Sequence, residues 1–165
     1  MSVSPIDSDI FGALYATDEV RAIFSDRSQL QFMLDVEAAL ARAEAAHSLL
    51  PPAVAEAITR AARAENLDLD YIAKSTRRVG YPVVALVKEL GRLAGDDAAR
   101  YIHLGATTQD ILDSALVLQL REAIGIIRRD LVALARALAA QAARYRDAPM
   151  AGRTHLQHAV PIRFG

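Results

Sequence analysis

The chain contains no cysteine and no tryptophan. Without thiols it forms no disulfide and offers no thiolate to a metal. Aromatic residues make up only 5% of it, and no stretch joins sustained period-two alternation to flanking turn residues, so no sheet of any size is expected. Neither sign of charge dominates: 19 Lys and Arg stand against 20 Asp and Glu, for a formal net charge of −1. The two signs are interspersed, leaving no basic face for nucleic acid and no polybasic arm for an anionic membrane. The N-terminal MSVSPIDSDIFG has acids where a signal peptide would carry a basic segment and an apolar run. Apolar runs are broken by Arg, Glu or Gln well short of the ~18 residues of a membrane helix. These absences predict a cytoplasmic chain with neither nucleic acid nor membrane as a partner.

What the sequence has in abundance is helix former. Its 165 residues are 53% hydrophobic, enough for one real core, and Ala, Leu, Arg, Glu and Gln dominate. Ser25 or Asp26 can cap a helix running through LQFMLDVEAALARAEAAHSLL, where Leu30, Leu34, Ala38, Ala41 and Ala45 recur at helical spacing until Pro51 and Pro52 end it. Pro52 suits the first turn of a second helix, AVAEAITRAARAE; NLDLD is a turn before a short segment, LDYIAKS. Gly80 punctuates, YPVVALVKELGRL follows as a helix from Pro82, and GDDAARY reads as a polar loop.

From Thr108 to about Arg146 there is no Pro and one Gly, which predicts a single helix on the order of 55 Å long. Leu116, Leu120, Ile124, Ile127, Leu131, Leu134 and Leu138 form a nearly heptad seam, and Ile111, Ala115 and Leu118 a second apolar face. A rod with two apolar faces packs on other helices, some of them expected to come from other copies of the chain.

Two motifs carry chemistry. HLGATTQD, His103 to Asp110, opens the long helix. Gly105 frees the backbone to turn, Thr107 or Thr108 can cap, and the first-turn amides can hold a carboxylate; an ordinary N-cap with Asp110 in the first turn accounts for the same residues. AGRTHLQHAVP follows the helix as an irregular segment, with Arg153 as a fixed cation, Thr154 as a donor and His155 as the side chain whose proton moves near neutral pH. On a helix His155 and His158 would share a face, but nothing nearby completes a zinc set and HEXXH is absent. A structural imidazole suits His47 and His158 better than it suits His155.

Taken together and in this order, HLGATTQD and GRTHLQHAVP resemble the first two signature regions of the fumarase and aspartase superfamily, HxGxTSxD and GRTHxQ. SDRSQLQFMLDVEAALARAEA, GYPVVALVKEL and GATTQDILDSALVLQLREA further resemble its bacterial 3-carboxy-cis,cis-muconate cycloisomerase (lactonizing) branch of protocatechuate catabolism. The resemblance covers nearly the whole chain. It implies an all-α fold, with residues 1–105 as an N-terminal helical domain and 106–165 as the start of a central long-helix bundle. It also implies a homotetramer, a small tricarboxylate substrate, and no cofactor or metal. By position, Thr107, Thr108 and Gln109 would bind substrate carboxylates with His103 lining the pocket. His155, beside Thr154, would be a general acid or base or the relay that tunes one, and Arg153 and Gln157 would hold substrate or loop. A fumarate-eliminating lyase of the adenylosuccinate type and a non-catalytic oligomerisation module are the alternatives. The superfamily's third region, SSxMPxKxN, is not among these residues, and TT replaces the common TS. The sequence therefore reads as the N-terminal portion of a longer enzyme, with GRTHLQHAVPIRFG leading into a further helix and little activity expected of these residues alone.

Overall fold

A computed structural model describes residues 4–165, which are predominantly helical. The helices are α1 (Asp18–Ile23), α2 (Asp26–Ala46), α3 (Pro52–Ala61), α4 (Leu69–Val79), α5 (Val83–Ala94), α6 (Asp96–Ala99) and α7 (Thr108–Arg144); β1 (Pro149–Thr154) and β2 (Gln157–Arg163) follow. Two compact units divide at Ala123 and Ile124.

In the first unit, side chains at the helix ends set most boundaries. Thr17, Ser25 and Asp68 accept hydrogen bonds from the backbone N–H three residues on and start α1, α2 and α4. Gly80, at φ +98°, closes α4 in the left-handed region that favours glycine. The helix predicted to reach the prolines stops earlier, at Ala46: His47 caps it and Ser48 turns the chain at φ +60°. The stretch expected as a polar loop holds the short α6, whose Ala99 Cβ would lie 3.1 Å from a Cβ placed on Gly91 of α5. That close approach needs the missing side chain.

The core lies between these helices. α2 buries Leu30, Met33, Leu34, Ala38 and Ala41 along one stripe; α3 adds Ile58, α5 adds Leu86 and Leu90, and α7 adds Ile111 and Ala115. Removing each large apolar side chain from water contributes roughly 1.5–3 kcal/mol. Gln31 ties α2 to the turn after α3, donating to the Ala62 carbonyl at 3.1 Å and accepting from the Ala64 N–H at 2.8 Å. The buried Gln119 of α7 donates to the Ile23 carbonyl at 2.7 Å, satisfying the end of α1. Of the second apolar face predicted on α7, Ile111 and Ala115 are buried and Leu118 half-buried, while every member of the predicted seam from Leu116 to Leu138 is exposed.

In the second unit the sequence reading is corrected. Residues after Asp147 were expected to be irregular and to lead into another helix; instead β1 and β2 form an antiparallel hairpin. His155 and Leu156 make its two-residue turn, with Leu156 at φ +60°. No glycine or asparagine marks that turn, which hides it from composition. Tyr145 and Phe164 pack edge to face at 5.6 Å, and the Arg163 guanidinium meets the Asp147 carboxylate at 2.7 Å, holding the two ends of the hairpin segment together. Among the described residues no helix is long and apolar enough to cross a membrane.

Candidate active site

The first motif is built by a tight turn. After the buried Ile102, His103 takes φ +63° and Gly105 φ +67°, and Thr107 stands just before α7. A left-handed backbone is ordinary for glycine, but for histidine it costs ~1–2 kcal/mol, so its surroundings hold it there. The Asp110 carboxylate accepts from the Thr107 N–H at 2.9 Å, and the Asp110 N–H bonds back to the Thr107 carbonyl at 3.0 Å. The Asp110 side chain thus returns to the backbone at the start of α7 as the acidic half of a capping box does. The first-turn amides of Thr108 and Gln109 have no acceptor within the helix and form the positive end of its dipole. Thr108 is half-buried, Thr107 and Gln109 are exposed, and the Gln109 amide donates to the Asp113 carboxylate.

His103 does more than line this turn. Its Nδ1 stands 2.6 Å from Oε1 of Glu37, a carboxylate only 1% exposed on the core face of α2. Burial pushes the Glu37 carboxyl above its ordinary range, while the hydrogen bond and charge of His103 oppose that rise. Its second oxygen, Oε2, is buried with no partner among the described residues. Glu44, one heptad on, shares the pattern: it is buried, Oε2 is unpartnered, and its carboxyl is raised by desolvation and by the charge of Glu37. Sequence reasoning missed both. The signal was present in the register of α2, where positions 37 and 44 share the stripe of Leu30, Leu34 and Ala41.

The second motif sits on the hairpin. Arg153 pairs with His158 and Thr154 with Gln157, so the two strand ends carry four of the motif's polar residues and the turn carries His155. All five side chains are exposed. Gly152 explains its own place in GRTH. The register slips between Ala151 and Arg153, and a Cβ at Gly152 would come within 2.7 Å of the Val160 carbonyl oxygen. His155 in a turn and His158 in a strand do not share a helical face, so the spacing weighed for zinc does not arise. His103, Thr107, Thr108 and Gln109 belong to the first unit, and Arg153, Thr154, His155 and Gln157 to the second.

The profile of a family described as Lyase matches residues 13–165. The 3-carboxy-cis,cis-muconate cycloisomerase of Pseudomonas aeruginosa is 50% identical over 161 residues, covering 96% of this chain and 35% of that protein. A nitrosuccinate lyase of Streptomyces davaonensis is 44% identical over 163 residues, covering 97% of this chain and 34% of its own length. The crystal structure of 3-carboxy-cis,cis-muconate lactonizing enzyme from Pseudomonas putida superimposes with a TM-score of 0.91 at 46% identity, over 94% of this chain and 36% of that one. The chain spans about a third of the length of the curated relatives it matches.

Proposed function

This chain belongs to the lyase family of the fumarase and aspartase superfamily, and on that premise we propose that it carries two of the substrate-handling regions of a 3-carboxy-cis,cis-muconate cycloisomerase. The observation that carries this reading is the joint occurrence of HLGATTQD at the head of a 37-residue helix and GRTHLQ on the hairpin after it, in a chain half identical to such an enzyme. The reaction closes a lactone, giving 4-carboxymuconolactone: one carboxylate oxygen adds to a carbon of a conjugated double bond, and the neighbouring carbon takes up a proton. Negative charge builds on a second carboxylate along the way. Fixed donors aimed at that charge and one group that exchanges a proton are what the step requires. Thr107, Thr108 and Gln109, with the open amides of the α7 first turn, supply neutral donors; Arg153 and Gln157 hold substrate or the hairpin. His155, next to Thr154, supplies the mobile proton directly or tunes the group that does. His103 borders the substrate.

The exposed seam of α7 supports assembly into a helix bundle, a homotetramer in the cytoplasm, with residues 106–165 as the opening of the bundle domain. Within the family, elimination from a succinate derivative is the second reading, favoured by the 44% identity to nitrosuccinate lyase.

A chimera decides between them. This chain replaces the equivalent portion of the Pseudomonas putida enzyme, and loss of ultraviolet absorbance by 3-carboxy-cis,cis-muconate is followed as its conjugated diene closes. Turnover by the chimera that disappears in His155→Ala with assembly intact is the expected result. Fumarate release from nitrosuccinate, without decay of the muconate, would replace lactonisation by elimination.

A further inference from the structure

We propose that Glu37 is a positioning residue that fixes His103 in the tautomer protonated on Nδ1, leaving Nε2 as a proton acceptor directed at substrate. The Nδ1 to Oε1 separation is 2.6 Å, and the carboxylate that makes it is sealed in the core at 1% exposure. The imidazole keeps 21% of its surface open. With Nδ1 donating inward to a carboxylate, Nε2 is the ring nitrogen left for chemistry, and which nitrogen of a histidine carries the proton is set by the bond the other makes. Glu37 stands 66 residues before His103 in the chain, on the rigid middle of α2, so core packing fixes the carboxylate and the carboxylate fixes the ring. The left-handed backbone of His103 belongs to the same arrangement: a non-glycine residue is held in a strained conformation four residues before the cap of α7. A core that needed only to fill space would place an apolar residue at position 37, because a buried carboxylate with one unpartnered oxygen is a poor way to gain stability. The direction of Nε2 toward substrate rests on the proposed reading of the first motif; the tautomer does not.

Nitrogen-15 spectra of the ring, recorded on the 165-residue chain in alkaline buffer with His103→Gln to identify the signal, test the tautomer without any substrate. The wild-type ring should carry its proton on Nδ1 and a lone pair on Nε2. In Glu37→Met, which keeps roughly the volume but removes the oxygen acceptors, the proton should move to Nε2, the position free imidazole side chains prefer. In the chimera the same substitution should lower kcat by roughly 10- to 100-fold with KM nearly unchanged, as losing an orienting partner does elsewhere. A wild-type ring protonated on Nε2 overturns the proposal, and so does a Glu37→Met chimera of undiminished kcat. A chimera with no turnover of any substrate would sink the lactonising reading, and the spectra would still decide the tautomer.

Discussion

Glu44 and Glu37 each pay a desolvation penalty on the same helix face, and this fixes the sign of a pH dependence. Both carboxyls lie above their ordinary 4.5 in the folded chain. Between 4.5 and the raised folded value the native chain holds protons that the unfolded chain has released. Stability is therefore greatest below the ordinary value and is lost as pH rises through the folded one. Glu44→Gln removes one source of that loss, along with its repulsion of Glu37. It should stabilise the chain by about 0.5–2 kcal/mol near neutral pH. At about pH 4 and below the gain should vanish, because both states are then protonated at this position. Thermal unfolding at the two pH values checks both halves, and a destabilised variant at neutral pH would contradict the assignment. The candidate residues of both motifs were legible in the sequence as a pattern of donors and a histidine. Glu37 was not: the register of α2 sets it on the buried stripe, but its partner His103 lies 66 residues away and meets it only in the folded chain.

At the scale of elements, the hairpin is the feature whose local chemistry is most sharply posed. Gly152 faces the Val160 carbonyl oxygen so closely that a methyl group would meet it at 2.7 Å. Gly152→Ala should force the strands apart at the register slip, destabilising the hairpin by on the order of 1–3 kcal/mol. Faster amide exchange in β1 and β2, with the core amides of α2 and α5 unaffected, is the expected signature. Helices α2 to α5 and α7 were readable because their signals are local: a hydroxyl or carboxylate cap, a glycine stop, a period of 3.6. The hairpin was not, because its register comes from pairing across strands and its turn uses His155 and Leu156 in place of Asn or Gly.

For the molecule as a whole, the unsatisfied feature is the seam. Ile124, Ile127, Leu131, Leu134 and Leu138 are each at least half exposed, at helical spacing, on a helix whose other apolar face is already buried at Ile111 and Ala115. A stripe of this kind marks an interaction surface. Sedimentation velocity should find the chain associated, and the triple variant Ile127→Gln, Leu131→Gln, Leu134→Gln should weaken association by roughly tenfold or more, about 1.4 kcal/mol. Helical content should hold, since none of the three packs into the core. A monomeric wild-type chain would remove the bundle proposal.

By itself the sequence determined the helical class, the starts of α2 and α3, the glycine stop of α4, the span of α7 and the two motifs at its ends, because these depend on residues within a turn or two of one another. Tertiary structure alone decided that a buried carboxylate of α2 grips His103 from 66 positions away, and how the last residues pair. Those outcomes follow from contacts between distant parts of the chain, where desolvation and hydrogen-bond geometry choose among side chains that periodicity treats alike.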